Sequence, residues 1–286
     1  MKNKMMWYVS IVFIFSYTWQ YLIYKTGATE SVLFPFLMWF PGLIAIAFLI
    51  FSRKGFRNIG WGMKKWKFIF PAILVPLLLS IGLMYIIKML GWGEQTEKLF
   101  VFNNNMFEQI KFGLILGNHP QSISFFIFNM VVSHLLFLIV GSILTLGEEL
   151  GWRGYLQEKL LRKYGIIKGL VVLGAIWGYW HFPIILMGYN FPSQPILGAF
   201  ILMPLGTIFL GMFLGWIYLR SRSIWMPALA HTSINLFSGF LYGMTMYENE
   251  IYRQLVWIIA WGIIAIFCVL SLNKNKPQLW QEMAKK

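Results

Sequence analysis

A small set of polar residues in the second half of the chain has the types needed to activate a water molecule. Its members are Glu148, Glu149, Arg153, His181, His231 and Asn235. A carboxylate can take a proton from water, and imidazole and amide groups can hold the water or donate hydrogen bonds to an oxyanion. The set therefore supports hydrolysis of an amide bond, in one of two ways.

In the first way, Glu148 acts as the general base on a water molecule that His181 holds. His231 and Asn235 then donate hydrogen bonds to the oxyanion of a tetrahedral intermediate. In the second way, Glu148, His181 and His231 bind Zn²⁺, which activates its bound water. The sequence has no His-Glu-x-x-His zinc helix, which favours the metal-free way, and no Gly-x-Ser-x-Gly turn for a serine nucleophile.

The spacing of the two adjacent glutamates predicts that they have different roles. Neighbouring residues on a helix point about 100° apart, so the two carboxylates cannot serve the same face. Glu149 lies four residues before Arg153, the spacing at which an acid and an arginine pair along a helix. Glu148 is left without a local ionic partner and is free to act as a base. The alternative is that both glutamates are solvated in a loop.

Composition predicts the environment in which these residues act. Of the 286 residues, 58% are hydrophobic and 12% are charged, and the mean hydropathy is +0.66. A soluble domain of this length cannot bury so much apolar surface, so the sequence indicates a bilayer. The single cysteine, Cys268, excludes a disulfide framework and a cysteine-based zinc site. The absence of Asp excludes an intramembrane aspartyl protease.

Apolar runs long enough to cross a bilayer as helices predict an all-α, polytopic membrane protein with about eight transmembrane helices. They cover residues 7–24, 33–51, 68–90, 125–146, 166–187, 196–219, 224–244 and 255–272. Most Lys and Arg residues lie in alternate connections, which places both termini in the cytoplasm. The net charge of +14 therefore indicates a protein of the cell membrane whose partner is the lipid bilayer, and no nucleic acid is expected to bind.

The predicted helices bring the polar set to one depth. The fourth helix is expected to continue past Glu148 as an amphipathic segment and to turn near Gly165. Glu148 and His181 lie at nearly equal distances before and after that glycine, so an antiparallel pair would hold them level. His231 lies about 13 Å below the inner surface at 1.5 Å per residue, and Asn235 shares its face. The site is thus expected to be accessible from the cytoplasmic side.

Two features are placed on the outer side of the membrane. The connection over residues 91–122 is the longest, and residues 107–116 are expected to form an interfacial helix there. His134 lies about 21 Å before Glu148 along the same helix and is expected to be structural.

Three spaced motifs resemble one protein family. They are Glu148-Glu149-x-x-x-Arg153, Trp177-x-x-x-His181 and His231-x-x-x-Asn235, in this order on separate predicted helices. They resemble the CPBP family, also called the Abi or CAAX-protease-like family, which is related to the type II CAAX prenyl endopeptidase. The resemblance covers about residues 122–240. It implies that Glu149, Arg153 and Trp177 support the site, although the family often has Phe at the position of Trp177.

The same resemblance implies a role for each remaining motif residue. Glu148 would be the catalytic base, His181 the ligand of the water, and His231 with Asn235 the oxyanion site. Family members are named metalloproteases, and a metal-free glutamate mechanism is also attributed to a relative. No cofactor is therefore assigned, and Zn²⁺ bound by Glu148, His181 and His231 stays the alternative.

The resulting prediction is an intramembrane endopeptidase that cleaves a hydrophobic or membrane-anchored peptide or protein. Its expected parts are residues 1–121 with three helices and the outer loop, residues 122–245 as the catalytic core, and residues 246–286 with the last helix and a basic tail. A non-catalytic membrane scaffold or a bacteriocin self-immunity protein is the alternative. A transporter would show paired repeats, and the sequence has none.

Overall fold

The computed structural model describes residues 2–27, 33–50, 55–63, 65–94, 100–110, 113–244, 246–247, 250–275 and 277. Most of these residues are helical, as the all-α prediction requires. In chain order the α-helices are α1 (Lys2–Lys25), α2 (Phe34–Leu37), α3 (Phe40–Ile50), α4 (Ile69–Met89), α5 (Ile123–Glu149), α6 (Glu158–Tyr164), α7 (Ile166–Trp180), α8 (Phe182–Leu186), α9 (Pro195–Leu197), α10 (Met203–Ser221), α11 (Trp225–Met244) and α12 (Glu250–Lys274). Short 3₁₀ helices cover Gly55–Ile59 and Trp66–Phe68, and π-helical segments cover Leu150–Gln157 and Gly198–Leu202.

The long helices have the surface of a multi-pass membrane protein. Within the described residues, five helical stretches are long and apolar enough to span a bilayer: Lys4–Lys25, Trp66–Met89, Ile123–Tyr164, Pro195–Ser221 and Ile251–Lys274. Large apolar side chains cover their outer faces, as on α5, where Phe128, Leu135 and Ile139 are exposed. An apolar surface of this extent is favourable in contact with lipid and unfavourable in contact with water. The polytopic fold is confirmed, whereas the number of eight spans and the side of each terminus stay predictions.

Two of the predicted spans are interrupted. Run 33–51 is divided into α2 and α3, and run 166–187 is divided into α7 and α8. Both interruptions lie beside a proline: Pro41 is the second residue of α3, and Pro183 is the second residue of α8. Proline lacks the backbone N–H that would continue the hydrogen bonding of the preceding turn.

Short antiparallel strands lie in the connection between α4 and α5 and in that between α11 and α12, and the predicted interfacial helix over residues 107–116 is wrong where the chain is described. The strands are β1 (Gly93–Glu94), β2 (Phe100–Asn103), β3 (Met106–Ile110), β4 (Gln121–Ser122) and β5 (Met246–Tyr247). In one sheet β3 lies between β2 and β4, and β1 pairs with β5. Asn104 and Asn105 have positive φ values of 47° and 62°. Two such residues form the tight turn that joins β2 to β3, which favours a hairpin over a helix.

The helix that carries the two glutamates is continuous for 42 residues, Ile123–Tyr164. It consists of α5, the first π-helical segment and α6. Leu156, Leu160 and Leu161 are buried on one side of its last part, while Arg162 and Lys163 are exposed. The helix ends at Gly165, whose φ of +81° favours glycine. The predicted extension and turn are both confirmed.

Glycines let the helices around the site approach closely. A Cβ atom at Gly174 or Gly178 of α7 would clash with the backbone of α10 at Ile208 and Pro204. Small residues four apart are the usual means of close helix packing in membranes. Since Trp177 lies between these glycines, the contact of α7 with α10 fixes the depth and rotation of its side chain.

Candidate active site

The adjacent glutamates occupy the last turn of α5, directly before the π-helical segment Leu150–Gln157. Both side chains are buried, and they serve different partners, as their spacing predicts. A π-helical turn holds one more residue than an α-turn, and such turns are frequent at functional sites. Here the wide turn follows immediately after the two carboxylates.

Glu149 contacts two buried side chains, the guanidinium of Arg153 and the imidazole of His231. Its Oε1 accepts a hydrogen bond from Nη1 of Arg153 at 2.9 Å, with both side chains fully buried. The same oxygen lies 2.9 Å from Nδ1 of His231 on α11. The Glu149–Arg153 pair is therefore present as predicted. The contact with His231 was not predicted, and it links the first motif to the third.

Glu148 is bound by the indole of Trp177 on α7. Nε1 of Trp177 donates a hydrogen bond of 2.6 Å to Oε2 of Glu148. The expected lack of a local ionic partner stays a prediction, and the carboxylate does have a hydrogen-bond partner. This donor is not predicted from the sequence, where the only available signal is that Trp177 lies one turn before His181. A Phe at that position, as the family often has, would supply no such bond.

The indole ring of Trp177, which binds Glu148, also contacts both partners of Glu149. The guanidinium carbon of Arg153 lies 4.5 Å from the ring centroid, a distance typical of a cation–π contact. The ring of His231 meets it edge-on at 5.3 Å between centroids. One side chain thus contacts Glu148, Arg153 and His231 at once.

The ring of His181 has a defined tautomer. Nδ1 of His181 lies 2.9 Å from the backbone oxygen of Trp177. A carbonyl oxygen can only accept, so Nδ1 carries the proton and Nε2 of the neutral ring is an acceptor. Nε2 is therefore available to bind the hydrogen of a water molecule.

The four predicted catalytic residues line one cavity of about 370 Å³. They are Glu148, His181, His231 and Asn235. Much of the remaining wall is apolar or aromatic and includes Leu37, Ile184, Leu210 and Trp257 of the helices and Phe191 of the segment between α8 and α9. Both this volume and a mainly apolar lining with a few convergent polar groups are typical of a ligand site. The four side chains thus lie around one cavity, as their equal depths along the helices predict.

The remaining histidine of the membrane helices is separate from this site. Nδ1 of His134 lies 2.7 Å from the backbone oxygen of Met130, one turn earlier on α5. His134 does not belong to the cavity lining. The structure is consistent with the structural role expected for it.

Glu148, His181 and His231 are the residues that would hold Zn²⁺ in the alternative mechanism. Glu148, His181 and His231 share a cavity, yet among the described residues no three His, Cys or acidic side chains are close enough together to hold a metal ion. Nδ1 of His231 faces Glu149, and Oε2 of Glu148 is occupied by Trp177. These bonds do not use Oε1 of Glu148 or Nε2 of either histidine, and second bonds of this kind are usual for zinc ligands, so zinc binding stays the alternative.

Known proteins resemble the part of the chain that builds this cavity. Residues 130–237 match the family described as type II CAAX prenyl endopeptidase Rce1-like. A curated relative, CAAX prenyl protease 2 of Methanococcus maripaludis, is 32% identical over 126 residues. That match covers 41% of this chain and 44% of the relative, so the chain spans less than half of the length of the relative.

The family match includes all three motifs, from Glu148 to Asn235. It begins within α5 and ends within α11, so α1 to α4 and α12 lie outside it. Both comparisons confirm the resemblance predicted from the motifs, and residues 130–237 are similar to the type II CAAX prenyl endopeptidase Rce1-like family.

Proposed function

We propose that this protein is an intramembrane endopeptidase that uses glutamate-activated water to cleave a hydrophobic or membrane-anchored peptide or protein. The observation that carries the proposal is that Glu148, His181, His231 and Asn235 line one largely apolar cavity between membrane helices. The relative from Methanococcus maripaludis is named as a CAAX prenyl protease, which supports peptide-bond hydrolysis.

The first step is the activation of water by Glu148. The bond from Trp177 to Oε2 orients the carboxylate and leaves Oε1 as the proton acceptor. The water donates one hydrogen to Oε1 of Glu148 and the other to Nε2 of His181. Its oxygen lone pair then attacks the peptide carbonyl, while Glu148 takes the proton.

The second step is the stabilisation and collapse of the tetrahedral intermediate. His231 donates its Nδ1 proton to Glu149, so it must carry a second proton on Nε2 to donate to the oxyanion. Glu149 is the counter-ion of that doubly protonated ring. The side-chain amide of Asn235 supplies another donor. Glu148 returns its proton to the leaving nitrogen, the carbon–nitrogen bond breaks, and the carboxylate is regenerated.

The lining of the cavity indicates an apolar substrate. As far as the chain is described, the only formally charged side chain in the wall is that of Glu148, apart from the two histidines. The aromatic and aliphatic residues around it would receive apolar side chains and exclude bulk water. A hydrophobic peptide segment fits this wall better than a charged one.

A comparison of peptide termini in cells tests the proposal. Membranes and medium from cells that express wild-type protein, Glu148→Gln or Glu158→Gln at matched levels are analysed by mass spectrometry. Glu158→Gln is the control because Glu158 pairs with Arg162 on the partly exposed side of α6. New termini are expected with the wild type and the control and not with Glu148→Gln. If all three profiles are the same, the non-catalytic scaffold or immunity protein is favoured instead.

Replacing Trp177 with Phe is expected to slow cleavage by about tenfold or more with little change in KM. The loss of a hydrogen bond to a charged group costs about 1.5 to 3 kcal/mol, and each 1.4 kcal/mol is about a factor of ten in rate. Trp152→Phe is the matched control, since Trp152 is also buried and its Nε1 has no hydrogen-bond partner among the described residues. Equal kcat values for the two variants would contradict a role of the Trp177 N–H.

Removal of metal is expected to leave the activity unchanged. Purified protein is treated with a strong chelator, dialysed and assayed, and its zinc content is measured before and after. A metal-free mechanism predicts less than a twofold change in rate and less than stoichiometric zinc. Loss of activity that is restored by Zn²⁺ would instead establish the zinc alternative.

A further inference from the structure

The helix that leads to the catalytic site is broken at His181. Helix α7 ends at Trp180, and α8 begins at Phe182. Pro183 has no N–H, so it cannot provide the hydrogen bond that an uninterrupted helix would give to the backbone oxygen of Tyr179. In a continuous helix the backbone oxygen of Trp180 would bind the N–H of Ile184. The break disrupts both bonds within four residues of His181.

Helix α1 supplies partners for these groups. The hydroxyl of Tyr17 donates a hydrogen bond of 2.6 Å to the backbone oxygen of Tyr179. Nε2 of Gln20 donates to the backbone oxygen of Trp180 at 2.8 Å. Oε1 of Gln20 accepts from the backbone N–H of Ile184 at 3.0 Å. The amide of Gln20 therefore stands between two groups that would otherwise bind each other.

The burial of Gln20 makes this contact specific. Its side chain has no exposed surface, although it lies in a helix that is otherwise largely apolar. A buried amide in a membrane helix is costly unless both its donor and its acceptor are satisfied. Among the described residues, Gln20 meets this condition through Trp180 and Ile184. The residue has the length and the two functional atoms that the gap requires.

We propose that Gln20, together with Tyr17, is a positioning residue for His181. The bonds hold the backbone on both sides of His181, and so they fix where Nε2 lies relative to Glu148. Helix α1 lies outside the segment shared with the CAAX-protease-like family, yet it is part of the catalytic unit. The role in catalysis rests on the proposed function, whereas the bracing of the helix break does not.

The kinetic test uses full-length purified protein with Gln20→Met. Methionine has a similar length and neither donates nor accepts these bonds. We expect kcat per folded molecule to fall on the order of 10- to 100-fold with KM within about twofold, because a small displacement of a catalytic group has effects of this size. Ser16→Ala is the control, one turn earlier on α1. Ser16 is equally buried, and its hydroxyl has no hydrogen-bond partner among the described residues.

The result that would overturn the proposal is an unchanged kcat for Gln20→Met in protein that cleaves in a Glu148-dependent manner. A lower yield of folded protein with a normal kcat per folded molecule would overturn it equally, since that is what a purely structural residue would show. If Gln20→Met does not fold, Tyr17→Phe replaces it, because it removes one hydroxyl from a partly exposed side chain. A kcat reduced at least threefold is then expected, and a normal kcat overturns the role.

A second experiment measures the bracing without using catalysis. Pro183→Ala introduces a backbone N–H that can bind the backbone oxygen of Tyr179. Tyr17→Phe is expected to lower the melting temperature by several degrees when Pro183 is present and by clearly less in the Pro183→Ala background. Equal shifts in both backgrounds would overturn the bracing. If the shifts differ while the wild type cleaves nothing, the proposed function fails and the bracing stands.

Discussion

Arg153→Ala is expected to lower the free energy of unfolding by about 3 to 5 kcal/mol, the range for removing one partner of a buried ion pair. Both side chains of the Glu149–Arg153 pair have no exposed surface, so alanine would leave the carboxylate buried with only His231 beside it. The cation–π contact with Trp177 would be lost as well. Denaturation of the purified protein in mild detergent micelles measures the change.

Arg162→Ala is the control for this prediction. Arg162 makes the same i, i+4 contact with Glu158 at 2.7 Å, but 34% and 26% of these side chains are exposed. An exposed pair contributes about 1 kcal/mol or less, so this variant should unfold nearly as the wild type does. Similar losses of stability in the two variants would show that the burial of Arg153 has no special effect.

Glu148→Gln is expected to lower kcat by about 10²- to 10⁴-fold, the usual contribution of a general base. The glutamine oxygen can still accept the hydrogen bond from Nε1 of Trp177, so the unfolding temperature should change little. A fluorogenic apolar peptide, or the substrate named by the terminus analysis, provides the assay. Residual activity above about one tenth of the wild-type rate would contradict the assignment of Glu148 as the base.

The neighbouring variant Glu149→Gln serves as the comparison. It removes the charge that pairs with Arg153 and with the ring of His231, so we expect it to destabilise the fold. Of the two adjacent residues, Glu148 would thus determine the rate of cleavage and Glu149 the stability of the fold. A variant pair with the reverse pattern would show that Glu149 is the residue acting on water.

The main geometry of the site could be predicted because it depends on local rules. The rise of a helix, the turn at Gly165 and the i, i+4 spacing of Glu149 and Arg153 are all readable from residue numbers. These rules place Glu148 and His181 at one depth, and the cavity contains both. The rotation of each helix about its axis then follows from close packing at glycines such as Gly174.

The missed features depend on contacts between distant segments. Nothing in an apolar helix indicates which acceptor the indole N–H of Trp177 will meet, and the contact of His231 with Glu149 joins residues 82 positions apart. Gln20 did carry a signal, since a glutamine within an apolar run needs a partner. The β2–β3 hairpin contradicts the predicted helix because Asn104 and Asn105 form a tight turn, and the apolar residues that follow do not indicate it.

The contacts of α1 have a consequence for the biogenesis of the protein. The groups that Gln20 binds lie 160 and 164 residues later in the chain. At about 5 to 20 residues per second, its amide waits roughly 8 to 30 seconds before those partners exist. During that time the first helix has an unsatisfied polar group in or near the lipid. The last hydrogen bonds around His181 therefore form only when α7 and α8 dock on α1, so a nascent chain stopped before α8 has no completed site.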